Sequence, residues 1–334
     1  MTRHTAVLKG VGTFLPARAV TNDELSRQLD TDDEWIRTRT GIGTRHWVDS
    51  DTATGDLAVE AGARALKSAG ADGADAVVLA TTTPDHPCPA TAPWVAARLG
   101  LGSVPAFDVA AVCAGFVYGL AAGAGLIAAG TARRVLVIGS ETYSTIVDPT
   151  DRNTAVVFGD GAGAVVLEAG DADEPGALLG FDLGSDGALH DLITVPAGGS
   201  RQRAGGAPPE PSQWYLTMQG KRVFAQSVAR MSQSAGALLE RLGWPSASVD
   251  RFVAHQANVR ILHAVADRIG VPREKAVVNL DRVGNTAAAS IPLALADAVA
   301  DGALKAGERV VLTAFGGGLV WGSTALIWPD IEPH

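Results

Sequence analysis

The 334-residue chain has only two cysteines, Cys88 and Cys113. A chain this long can bury a large core without covalent staples, so a disulfide scaffold is not expected and each thiol needs its own explanation. No pair of His or Cys residues has the spacing of zinc ligands, and no metal is expected. There is no excess of positive charge either. Lys and Arg together number 27 against 36 Asp and Glu, a formal net charge of -9, which excludes the global basic field that nonspecific nucleic-acid binding requires. Long apolar runs are also missing. The start, "MTRHTAVLKGVGTFLP", lacks the apolar stretch of a signal peptide, and the longest apolar segments are broken by Gly or charge well short of a membrane span. A cytoplasmic protein with no membrane partner is expected.

What is present is a hydrophobic content of 47%, enough for roughly two domain-sized units, and a repeat. Strand-like runs "AVVLATT" (76–82) and "VLVIGSE" (135–141) flank alanine-rich helical stretches, and the order recurs as "RFVAHQA" (251–257) and "VVLTAFG" (310–316). Val77 precedes Val135 by the same 58 residues that separate Phe252 from Val310, so the halves align at a constant offset of 175. Within each half the order is strand, helix, strand ("AFDVA" or "AVVNL"), small-residue turn, helix, strand. Such alternation predicts α/β layers with parallel strands and crossover helices, and loops that meet at the strand ends. The halves are assigned as residues 1–174 and 175–334.

Cys113 heads "CAGFVYGLAAGAGLIAAG", small or apolar nearly all round, which predicts a buried helix between two sheets. At the helix N-terminus the dipole favours a thiolate while desolvation opposes it. The offset maps Cys113 onto Ala288, three residues from Asn285 in "VGNTAAAS", so Asn285 is expected opposite the thiol. His255, where the strand of "FVAHQANVRI" ends, faces the same seam. In "AFGGGLVWGS", Gly316, Gly317 and Gly318 allow close backbone approach and can aim an N–H at an oxyanion. The glycine pattern of "FGDGAGAVVLE" reads as a turn before a buried strand, not a phosphate loop, because no Lys-Ser/Thr follows. The Gly- and Pro-rich 196–212 reads as a mobile loop, either a cover for the site or a plain surface connection.

Six segments in order, "DEWIRTRTGIGTRHW", "DVAAVCAGFVYGL", "DRNTAVVFGDGAGA", "HQANVRI", "GNTAAASIPLAL" and "AFGGGLVWGS", together resemble the ketoacyl-acyl-carrier-protein synthase III family of the thiolase superfamily. The resemblance implies a homodimer of the thiolase-like five-layered α-β-α-β-α fold, with Cys113, His255 and Asn285 as catalytic residues. It implies decarboxylative condensation of an acyl-CoA with malonyl-acyl carrier protein to a 3-ketoacyl carrier protein, starting fatty-acid or polyketide synthesis. No cofactor is implied beyond the CoA and phosphopantetheine thioesters. By the same resemblance the N–H groups of Cys113 and Gly317 hold the oxyanion beside Phe315. Trp35, Arg39 and Arg152 would hold the nucleotide of CoA, and Asn258 would touch its pantetheine arm. Cys88 would line the partner subunit's acyl pocket, where a small residue in place of a bulky aromatic one leaves room for longer or branched starters. Carrier proteins are typically acidic, so Arg260 and Arg268, with Lys221 and Arg222 near them, are candidates for docking.

Three other readings compete. A Cys-His-Asn set also serves cysteine hydrolases, but those must admit water to the acyl-enzyme. An acyltransferase of the same fold could pass the acyl group to an alcohol or amine without decarboxylation. A noncatalytic scaffold fits poorly with a complete triad.

Overall fold

The computed structural model describes residues 4–334. Its first half contributes strands β1 (Thr5–Phe14), β2 (Ala76–Ala80), β3 (Ala106–Val109), β4 (Arg134–Glu141) and β5 (Gly161–Gly170), with helices α1 (Asp33–Thr40), α2 (Thr54–Ser68), α3 (Ala92–Arg98) and α4 (Gly115–Ala128). The second half contributes β6 (Phe181–Ser185), β7 (Arg251–Ala254), β8 (Arg309–Gly316) and β9 (Val320–Ile327), with α5 (Gly220–Leu242), α6 (Val259–Ile269) and α7 (Ser290–Ala300). One sheet runs β1-β5-β4-β2-β3 and the other β7-β8-β9-β6. In each the two strands bridged by a crossover helix, β2 with β4 and β7 with β8, pair in parallel.

The layers follow from hydrophobic patterning. β4 is buried over Val135–Glu141, as a central strand covered on both faces must be. Helix α4 has no polar face, and it packs together with α7 between the sheets, in a core drawn from both halves: Phe116, Leu120, Ile291 and Leu295 beside Val137, Val165, Val253 and Leu312. The amphipathic α2 covers the outer face of the first sheet, and α5 and α6 cover the second. This is the five-layered α-β-α-β-α arrangement.

The internal repeat is visible in the backbone. Gly115 opens α4 as Ser290 opens α7, and β4 begins and ends at Arg134 and Glu141 where β8 begins and ends at Arg309 and Gly316, always 175 residues apart. Val112 and Ala287, equivalent by the same offset, both take positive φ, 48° and 45°. One difference between the halves falls on an expected strand. "AVVNL" forms no strand, only an isolated parallel bridge of Ala276 to Phe252. Its polar backbone is taken instead by the buried Gln256 side chain, which donates to the Val277 carbonyl (3.1 Å) and accepts from the Asn279 N–H (3.1 Å). The 196–212 segment is mostly exposed, with Ala197 buried, and helical turns form at Ser200–Ala204 and, across its end, at Pro211–Trp214.

Candidate active site

The chain leaves β3, turns sharply at Val112 and enters a short 3-10 turn, Val112–Ala114, that runs directly into α4. Cys113 sits on this elbow. Gly316, the last residue of β8, comes so close that a Cβ there would lie 2.7 Å from the Cys113 nitrogen, which is why only glycine fits. Gly317 follows, against Ile193.

Cys113, His255, Asn285 and Phe315 line one small cavity of about 50 Å³, closed otherwise mainly by apolar groups, among them Phe158, Val223, Met231 and Ile261. The three residues expected to face one seam therefore meet. Cys113 is 8% exposed and His255 and Asn285 are each 4%. Of the two opposing influences on the thiol, desolvation wins: burial, reinforced by the buried Glu141 carboxylate, holds Cys113 well above the ordinary thiol range. The thiol is therefore protonated at rest.

His255 directly follows β7. Its Nδ1 lies 2.7 Å from Ser290 Oγ, which also accepts the Gln256 N–H at 3.3 Å. The Ser290 hydroxyl can donate to Nδ1, the arrangement in which the neutral ring carries its proton on Nε2. Burial pushes His255 down to about 3, against a smaller opposing pull from the Ala287 backbone, so the ring is neutral at physiological pH. Asn285 is fixed by its backbone: its N–H donates to the Val157 carbonyl (2.9 Å) and its carbonyl accepts from Gly159 (3.0 Å). The "FGDG" turn is thus a scaffold for this asparagine. The Asn285 side-chain oxygen accepts from the Ala287 N–H at 2.9 Å, leaving its NH₂ group to face the cavity.

A larger cavity of about 630 Å³ adjoins the first, and Tyr143 and Ile193 line both. Its walls include Thr82, Thr83, Asp85 and Pro87 from the loop after β2, and Ala197 and Leu216 from the ends of the Gly/Pro-rich connection. Cys88 is exposed and lines neither cavity of its own chain. Both cysteines are free.

Away from the cavities, the guanidinium carbons of Arg39 and Arg152 each lie 4.7 Å from the Trp35 ring centroid, a cation–π cluster at the surface end of α1. Asn258 caps α6, accepting from the Arg260 N–H (2.9 Å), and donates to the Arg39 carbonyl (2.8 Å), so its side chain ties α6 to α1. Arg260 is exposed and stacks over Phe224 of α5 (5.8 Å), beside the exposed Lys221 and Arg222. Arg268 is also exposed but sits two turns further along α6, about 12 Å away at 1.5 Å per residue, outside that cluster.

Sequence reasoning missed Ser290, Glu141 and Tyr143. Ser290 is the one polar residue in the apolar "AAASIPLAL", and a charged Glu141 ending a fully buried strand was a signal of its own.

Fold and site together define a thiolase-fold acyltransferase. The sequence family described as 3-oxoacyl-[acyl-carrier-protein (ACP)] synthase III matches residues 107–187, and its C-terminal part matches 239–328. The chain is 68% identical over 325 residues to beta-ketoacyl-[acyl-carrier-protein] synthase III 5 of Streptomyces coelicolor, covering 97% of this chain and 98% of that one. A solved 3-oxoacyl-(acyl carrier protein) synthase III from Pseudomonas aeruginosa superposes with a TM-score of 0.93 at 52% identity, over 98% and 100% of the two chains. The priming beta-ketosynthase of the R1128 polyketide pathway superposes at 0.90 with 35% identity, over 98% and 97%. The chain belongs to the 3-oxoacyl-[acyl-carrier-protein] synthase III family.

Proposed function

We propose that the protein condenses an acyl-CoA starter with malonyl-acyl carrier protein, with loss of carbon dioxide, to give a 3-ketoacyl carrier protein that starts a fatty-acid or polyketide chain. The observation that carries this reading is the convergence of a buried thiol, a neutral imidazole and an asparagine amide on one mostly apolar cavity. Cys113 Sγ bonds to the acyl carbon, the bond from that carbon to the CoA sulfur breaks, and CoA leaves with the thiol proton. In the malonyl thioester the bond to the carboxylate then breaks, and its electron pair passes to the thioester oxygen. A charged imidazolium would be costly in this site; the neutral N–H of His255 and the NH₂ of Asn285 stabilise the enolate without it. The enolate carbon attacks the acyl-cysteine, and the N–H groups of Cys113 and Gly317 hold the tetrahedral oxyanion until Cys113 departs and regains a proton. The route calls for no metal or organic cofactor.

The Trp35–Arg39–Arg152 cluster suits an adenine nucleotide, which offers a π-face and phosphates, and Asn258, tied to the Arg39 carbonyl, is our candidate contact for the pantetheine arm. The Arg260–Lys221–Arg222 group suits an acidic carrier protein, with Arg268 at its margin. The edge strand β3, with Phe107 exposed at 36%, suits a homodimer, and the neighbouring loop would then carry Cys88 toward the partner's larger cavity. A reducing, cytoplasmic setting suits a reaction that needs Cys113 as a free thiol.

The test is mass spectrometry after exposure to acyl-CoA, followed by carbon dioxide release from malonyl carrier protein. One acyl group should add to the wild type and none to Cys113→Ala. His255→Ala and Asn285→Ala should become acylated yet release little carbon dioxide. Acylation without carbon dioxide release in the wild type would replace condensation with acyl transfer to an alcohol or amine.

A further inference from the structure

Arg45 is fully buried and lines neither cavity, yet the condensation gives it no task. It lies in the short strand Thr44–Trp47, and its guanidinium is spent on neutral acceptors. Nη2 donates to the Val156 carbonyl (2.9 Å) and to Asn22 Oδ1 (2.8 Å), Nη1 donates to the Val20 carbonyl (3.2 Å), and Nε has no partner. Burial pulls Arg45 down to about 10, so it stays charged at physiological pH. A buried cation held this way is costly, and an apolar side chain of similar volume would avoid the cost.

The guanidinium bonds lead to Asn285. Val156 precedes Val157, whose carbonyl accepts the Asn285 N–H (2.9 Å), and Gly159 donates its N–H to the Asn285 carbonyl (3.0 Å). The far end of this segment hangs on the same strand as Arg45: the His46 carbonyl accepts from the Asp160 N–H (2.7 Å), and Trp47 Nε1 donates to the Phe158 carbonyl (3.1 Å). At the near end the guanidinium is the matching tie. Beside Asn285, Gly284 has φ of 73° and no room for a side chain, because a Cβ there would lie 2.8 Å from Arg45 Cβ. Asn22 braces the guanidinium in turn, donating to Asp33 Oδ1 (2.8 Å) and to the Ile42 carbonyl (2.8 Å). Resting on the condensation proposed above, we infer that Arg45 is a positioning residue for Asn285: its planar fork fixes the Val156–Gly159 segment that sets where the asparagine amide stands in the Cys113 cavity. A small slip of that segment moves the amide away from the enolate oxygen, while Cys113 and Gly317, carried by the α4 elbow and the end of β8, keep their places.

The test separates the two half-reactions. Arg45→Met removes all three bonds and Arg45→Lys keeps the charge without the fork, and both keep the Cβ that packs on Gly284. In Arg45→Met the Cys113 acyl-enzyme should form at near the wild-type rate, while kcat for carbon dioxide release from saturating malonyl carrier protein falls about tenfold or more. Arg45→Lys should recover part of that loss. Introduced into Asn285→Ala, either substitution should change carbon dioxide release by no more than about twofold, because the amide it positions is gone. Arg45→Lys, alone and in the Asn285→Ala background, decides the matter if Arg45→Met does not fold. Undiminished release in either variant, acylation and release falling together, or a loss that repeats in full on Asn285→Ala would overturn the inference and leave the condensation standing. Acylation without carbon dioxide release in the wild type would bring down the condensation and the inference with it.

Discussion

Glu141 offers a measurement of how strongly the interior acts on a charge. Its carboxyl is fully buried, and desolvation pushes it up to about 7 from an ordinary 4.5, with hydrogen bonds from Thr82 and Thr83 pulling the other way. The folded protein therefore holds this proton more tightly than the unfolded chain, so between about pH 4.5 and 7 the native state binds more protons and stability falls as pH rises. Above both values the cost is the shift of roughly 2.5 units at about 1.4 kcal/mol each, or about 3 kcal/mol, and most of it, roughly 2–3 kcal/mol, accrues between pH 5 and 8. His255 works in the opposite sense. Its folded value of about 3 lies below the ordinary 6.5, so its contribution rises with pH across that window and masks Glu141 in the wild type alone. The clean experiment is a difference. Glu141→Gln keeps an acceptor for Thr82 and Thr83 but cannot ionise, and urea unfolding of both proteins at pH 5 and 8, at one protein concentration, isolates the carboxyl. The variant should gain roughly 2–3 kcal/mol on the wild type in going from pH 5 to pH 8. Parallel stabilities across that range would mean that Glu141 is not desolvated as described.

Ser290→Ala removes the group that orients His255, so carbon dioxide release from malonyl carrier protein should fall about tenfold or more while formation of the Cys113 acyl-enzyme persists; equal loss of both steps would place Ser290 in packing alone. Arg260→Glu should raise the Michaelis constant for malonyl carrier protein several-fold at low salt, with the effect shrinking as salt is added and acylation by CoA donors unaffected. Cys88→Phe should depress turnover of four-carbon and longer acyl-CoAs and spare acetyl-CoA, since each methylene excluded from an apolar pocket forfeits about 0.8 kcal/mol; a uniform loss across donors would show that position 88 does not set chain length.

Much of this was legible in the sequence because the two signals used are physical constraints on every member of a layered fold. The strand runs at 76, 135, 251 and 310 recur at one spacing because each half must build the same sheet around the same central helix, and the absence of a polar face on α4 left it only one place to lie. The meeting of Cys113, His255 and Asn285 followed from that symmetry. What resisted reading were features that depend on side chains reaching across the chain. Gln256 replaces part of a strand through two bonds made by its amide, and nothing in "AVVNL" announces that. The two bonds by which the Asn258 side chain caps α6 and ties it to α1 are of the same kind. Ser290 and Tyr143 act on the site from other segments, where composition and periodicity carry no record of distance. Even the state of the thiol required burial to be known, since helix terminus and desolvation pull it in opposite directions.

The twin elbows at Val112 and Ala287 bear on how such a catalyst could arise. A valine with φ of 48° is an unfavourable corner, and the same corner recurs at an alanine that carries no nucleophile. If the chain descends from a doubled ancestor, each copy inherited a bend sharp enough to present a side chain at the mouth of a central helix. One copy then kept the reactive sulfur. The other, relieved of that duty, kept the bend and used the residues just before it to bring an amide to the same spot. A division of labour between once-identical parts would explain why the helper groups come from the half that lacks the thiol, and why neither half could run the reaction by itself.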